Sequence, residues 1–80
     1  FLDVRTIGEY EQIRLPGATL LPLASLRGRI DEIPSDKEIV TFCQISLRGY
    51  EAALILKAAG FKNVRVLDGG IAMWPYEKIQ

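Results

Sequence analysis

Cys43 and Arg48 are the two residues of this 80-residue chain whose types and spacing suit covalent chemistry. They stand in "VTFCQISLRGYEAA", residues 40 to 53, where an apolar run gives way to an alanine-rich helical pattern. The four residues between them, "QISL", are too few for another element, so the backbone must curl directly from a strand into a helix. Successive N–H groups in such a curl point inward, and together with the helix dipole and a guanidinium they favour an anion. Thiols at helix N-termini or beside cations ionise near neutral pH, which makes Cys43 a candidate nucleophile. The competing reading is packing, since free cysteine is among the most buried residue types.

Other chemistries find less support. The chain has no histidine, so a Cys-His dyad and a His-ligated metal are excluded, and its single cysteine cannot build a zinc site. "DGG" at 68 to 70 is too short for a phosphate-binding glycine fingerprint. Asp3, Glu9, Asp31 and Asp68 are scattered singly and read as surface or capping carboxylates, while Met73 and Trp74 read as core. Without a histidine base, attack depends on a thiolate stabilised by its surroundings. Suitable substrates are sulfane sulfur donors, disulfides, or phosphate and arsenate esters.

The elements that must hold this loop follow from the flanking patterns. "FLDV" at 1 to 4 reads as a buried strand, and "TIGE" at 6 to 9 has the spacing of a capping box, predicting a short helix near 7 to 13. "LPGA" at 15 to 18 is a turn and "TLLP" at 19 to 22 a brief strand. Leu23, Leu26, Ile30 and Ile33 fall on one helical face that Pro34 ends. "EIVTF" at 38 to 42 has the β-branched character of a central parallel strand. Gly49 to Ala59 predicts a mostly buried helix capped by Gly60, "NVRVL" at 63 to 67 another strand, and "IAMW" at 71 to 74 a last helical turn closed by Pro75. This alternation implies an α/β fold, a mostly parallel central sheet with helices on both faces.

With 49% hydrophobic and 25% charged residues, residues 1–80 suit one small domain. Ten basic residues balance ten acidic ones, so nucleic acid and anionic membrane surfaces are not expected partners. A lone cysteine without a disulfide framework fits a reducing, cytoplasmic setting. No run approaches the roughly 18 apolar residues of a membrane span. Because "FLDV" begins in mid-strand, the chain is expected to be truncated at its N-terminus.

Taken together, these residues resemble the single-domain rhodanese family of sulfurtransferases over nearly the whole chain. "LDVRTIGEY" at 2 to 10 is similar to the family's "DVR…EY" motif, and "LPGATLLPL" at 15 to 23 to its "PGA…P" segment. "FCQISLRGYEAA" is similar to its active-site loop, and "LKAAGFKNVRVLDGGIAMW" at 56 to 74 to its closing stretch. The resemblance implies a Cys43 persulfide that carries sulfane sulfur from a donor such as thiosulfate or polysulfide to a thiol or cyanide acceptor. It assigns substrate binding to Gln44, Ile45, Ser46, Leu47, Arg48 and Gly49, and a supporting ion pair to Asp3 and Arg5. It implies no metal and no cofactor beyond the covalent persulfide. Related phosphatases and arsenate reductases have five residues between Cys and Arg, a wider loop than the four here, which leaves that activity a lesser alternative. A non-catalytic sulfur-carrier or interaction domain of a larger redox protein is another. Arg14 stands where the family commonly has His, and Ser46 where it often has Gly; if that position needs left-handed backbone, Ser46 is strained. "CQ…LRGYEAA" followed by "ILKAAGF" looks most like domains appended to flavin-dependent coenzyme A disulfide or polysulfide reductases, so such a module is a possible partner in the same or another chain.

Overall fold

The computed structural model describes residues 1–79. Four parallel strands form one sheet: β1 (Leu2–Asp3), β2 (Thr19–Leu20), β3 (Ile39–Phe42) and β4 (Val64–Val66), in the order β2-β1-β3-β4. β3 is interior, in keeping with its apolar sequence. Between the strands run α1 (Ile7–Gln12), α2 (Leu23–Leu26) and α3 (Leu47–Ala58).

Residues alternate across the sheet and divide the core in two. On one face Leu2, Val4, Ile39, Cys43 and Val64 pack with Leu26, Ala52, Ala53 and Leu56 from α2 and α3. On the other, Phe42 packs with Leu15 and Ile71, joined by Ile13, Ala18, Leu67 and Trp74. Helical segments thus lie on both faces, although the second layer is thinner, made of the end of α1, the loop after it and a 3-10 turn at Gly70–Met73. Among the described residues no helix is long and apolar enough to cross a membrane.

Local signals explain where the elements begin and end. Thr6 and Glu9 form the reciprocal capping box, each side chain accepting from the other's backbone N–H. The apolar face from Leu23 to Ile33 is buried as expected at Leu26 and Ile33. It is not one helix, however. α2 gives way to a 3-10 stretch at Arg27–Glu32, with Arg29 at φ −125°, ψ 20°. Gly28 has poor helix propensity there, and its absent side chain offers no packing to offset it. α3 starts at Leu47, two residues before the sequence reading put it, and is not mostly buried. Only Gly49, Ala52, Ala53 and Leu56 are fully buried, Ile55 is half-buried against the core, and Leu54 is 68% exposed.

One ion pair sits inside this frame. Arg5 and Asp3, with side chains 1% and 0% exposed, are joined through Nε and Nη2, and Arg5 Nη2 also donates to the Ile13 carbonyl at 2.7 Å. The pair ties the C-terminal end of β1 to the end of α1. Removing one partner leaves a buried charge uncompensated, which typically costs about 3–5 kcal/mol. Asp3→Ala is therefore expected to lower the urea midpoint sharply, while joint replacement of both residues by apolar side chains of similar volume recovers most of the loss.

Candidate active site

Cys43 follows the last residue of β3, so it sits at the C-terminal edge of the sheet, where ligands bind in parallel α/β folds. It is 2% exposed and recessed in the α2–α3 core. Gln44, Ile45 and Ser46 connect it to Leu47, the first residue of α3. The proposed loop residues are thereby brought together: Gln44, Ile45 and Leu47 exposed, Ser46 and Arg48 half-buried, and Gly49 buried. A Cβ on Gly49 would lie 3.3 Å from the Phe42 Cα, so the first turn of α3 rests directly on β3. Thr41 Oγ1 reinforces that contact by donating to the Gly49 carbonyl at 2.8 Å.

Orientation of the loop is imposed from behind. Ile71 and Ala72 N–H groups donate to the Cys43 and Gln44 carbonyls, each at 3.0 Å. Gly70, at φ +56°, lies so close that a Cβ there would fall 2.2, 2.8 and 2.5 Å from the carbonyl oxygens of Cys43, Gln44 and Ile45. In a trans peptide the N–H points opposite to the preceding C=O. The N–H groups of Gln44, Ile45 and Ser46 consequently face away from Gly70, whose neighbour Ile71 packs on the Phe42 face, and toward the face where Cys43 packs. None of the N–H groups from Gln44 to Gly49 has an acceptor in the backbone hydrogen-bond network among the described residues. Unpaired N–H groups turned one way at a helix N-terminus are the arrangement that can cradle an anion.

Ser46 has φ −159°, and among the described residues no non-glycine residue has positive φ, so the left-handed strain considered for this position does not arise. Arg14 is engaged away from the loop, pairing its backbone with Ile79 and placing its guanidinium over the Tyr10 ring.

Arg48 has a partner that sequence reasoning missed. Its Nη1 and Nη2 donate to Glu9 Oε1 and Oε2 at 2.6 and 2.9 Å. The same pair spans 39 positions, and the only sequence signal at Glu9 was its capping-box spacing, which concealed its second role. Arg48 hydrogen bonds lower the Glu9 carboxyl from 4.5 to about 2. The Arg48 guanidinium is pushed up, chiefly by Glu9 and to a smaller extent by the adjacent Cys43 sulfur. Arg48 is thus committed to a carboxylate rather than reserved for Cys43. Among the described residues there is no group of three or more His, Cys, Asp or Glu placed to hold a metal ion.

Residues 1–76 match the family model described as the rhodanese-like domain. The chain belongs to this family. A sulfurtransferase of Allochromatium vinosum is 37% identical over 91% of this chain and 68% of its own. Among solved structures, an NAD-dependent persulfide reductase from A. fulgidus superposes with TM-score 0.80 at 52% identity, covering 91% of this chain. The reduced CoADR-RHD of Bacillus anthracis does so with TM-score 0.81 at 43% identity over 86% of it. The rhodanese-like chain spans only 13% and 12% of those two longer chains.

Gly70→Ala meets backbone oxygens and positive φ together, whereas Gly17→Ala, at φ +77° with nothing within 4 Å, meets only the backbone penalty. That penalty is about 1–2 kcal/mol, and denaturant melts are expected to show the larger loss at Gly70. For Glu9, the folded-state value lies below the ordinary 4.5, so its stabilisation is whole above pH 4.5 and lost as pH falls toward about 2. Glu9→Gln should lower stability by about 1 kcal/mol at neutral pH, a partly exposed bidentate pair being worth no more, and the two proteins' melting curves should converge near pH 2.

Proposed function

We propose that this domain transfers sulfane sulfur through a persulfide on Cys43, with Gln44 to Gly49 as the anion cradle and Arg48 at its rim. The observation that carries this reading is the set of acceptor-free N–H groups turned toward the face that holds the chain's only thiol. The Cys43 thiolate attacks the outer sulfur of a donor such as thiosulfate. The S–S bond of the donor breaks, and sulfite leaves with the bonding pair. An acceptor thiolate or cyanide then attacks the outer sulfur of Cys43–S–S⁻ and returns the Cys43 thiolate.

The physical economy of this cycle lies in distance and charge. Cys43 Sγ is recessed, but the outer sulfur of the persulfide stands about 2 Å further out, nearer the mouth where an acceptor arrives. Its negative charge meets fixed N–H dipoles that need no reorganisation. No histidine is required, because both leaving groups are stable anions. No cofactor beyond the covalent persulfide enters the cycle.

Rhodanese-like domains within longer reductase chains suggest the physiological setting. In it, a flavin-dependent disulfide or persulfide reductase module, in the same chain or a partner, exchanges sulfur with Cys43. The four-residue loop favours sulfur over a tetrahedral phosphate or arsenate ester, so those esters are expected to be poor substrates.

Incubation with thiosulfate followed by intact mass measurement tests the reading. A gain of one sulfur in the wild type, removed by cyanide and missing in Cys43→Ala, is the expected result, with ping-pong kinetics in turnover. Equal gain in both proteins would contradict it; loading that no soluble acceptor can discharge would instead indicate a carrier domain.

A further inference from the structure

We propose that Tyr50 and Asp68 are positioning residues for the Cys43 loop, their hydrogen bond latching the turn that presents Gly70 to the loop carbonyls. The inference rests on the sulfur-transfer reading and names the side chains that keep the cradle in shape. Tyr50 closes the first turn of α3, and its phenol donates to Asp68 Oδ1 at 2.6 Å across 18 positions. Its backbone N–H donates to the Ser46 carbonyl at 2.9 Å. One residue therefore holds the Ser46 carbonyl with its main chain and, with its side chain, the segment that meets the carbonyls of Cys43, Gln44 and Ile45.

The turn needs such a tether. Its last bond to the sheet is from the Leu67 N–H to the Thr41 carbonyl, and the Gly70 N–H then donates to the Leu67 carbonyl at 3.0 Å, enclosing Asp68 and Gly69. Gly69 and Gly70 have φ +80° and +56°, and glycine gives up more conformational freedom on folding than any other residue. Among the described residues the Tyr50 phenol makes the only side-chain hydrogen bond to residues 67–70. The contact it protects has no slack, since a Cβ on Gly70 would fall within 2.8 Å of three loop carbonyl oxygens. Displacing the turn frees those carbonyls, and the peptide planes that aim the cradle N–H groups turn with them. Asp68 also pushes the Tyr50 hydroxyl above the ordinary phenol range, so the proton that makes the bond stays in place at neutral pH. Both side chains are exposed, Tyr50 at 48%, so the bond adds little to global stability and its effect is local.

Native-state amide hydrogen exchange and the rate of Cys43 loading by thiosulfate, measured on Tyr50→Phe, Asp68→Ala and Asp68→Asn, test the latch. Tyr50→Phe and Asp68→Ala should each speed exchange of the Ile71 and Ala72 amides about threefold, the effect of losing one weak, exposed hydrogen bond. The buried α3 amides of Ala52, Ala53 and Leu56 should keep their rates. Loading of Cys43 should slow by a similar factor, and the double variant should be no slower than either single one, because both remove the same bond. Asp68→Asn, whose amide oxygen still accepts from the phenol, should restore exchange and loading together. Unchanged exchange at Ile71 and Ala72 in Tyr50→Phe, or a rise spread evenly through α3, overturns the latch. Faster exchange at those two amides with loading unaltered overturns its part in sulfur transfer and leaves that reaction standing. Failure of the wild type to load from thiosulfate overturns the sulfur-transfer reading, and the positioning role with it.

Discussion

The contact between Gly70 and the carbonyls of Cys43, Gln44 and Ile45 governs this molecule, because it decides which way the loop's peptide groups face. Two N–H groups of the closing 3-10 turn hold the first two carbonyls, and the missing Cβ lets the turn approach closely enough to do so. Once the carbonyls are drawn to one side, the N–H groups must lie on the other. The anion cradle is thus a consequence of packing at the far end of the chain, not of the loop's own side chains. Gln44, Ile45 and Leu47 themselves are exposed.

Around that contact the rest of the fold supplies position and charge. β3 delivers Cys43 to the sheet's C-terminal edge, and Gly49 allows α3 to start directly over it. The Asp3–Arg5 pair fixes the end of α1, the helix that carries Glu9 to Arg48. Arg48 is therefore held in place by a carboxylate while it remains beside the thiol. Its charge is partly neutralised in this pairing.

Much of this was legible in the sequence because it is local. The Thr6–Glu9 spacing, the apolar run before Cys43 and the short step to Arg48 each specify structure over a few residues. The family likeness rests on such stretches too. Contacts between distant segments were not legible: Glu9 with Arg48, and Gly70 with the loop, depend on how the sheet assembles. Periodicity also overreached at Leu23 to Ile33, where the apolar spacing is that of a helix but Gly28 and Arg29 interrupt it. At Ser46 a residue-type argument suggested strain, yet the local backbone has negative φ and needs no glycine.

The most direct test of the account is an amide ¹H–¹⁵N spectrum of the domain before and after sulfur loading with thiosulfate. An anionic outer sulfur held by the cradle predicts its largest shifts at the Gln44 to Gly49 amides, reversed when cyanide removes the sulfur. Loading that leaves those amides unmoved, or moves chiefly residues remote from the loop, would contradict the claim that backbone N–H groups hold the persulfide.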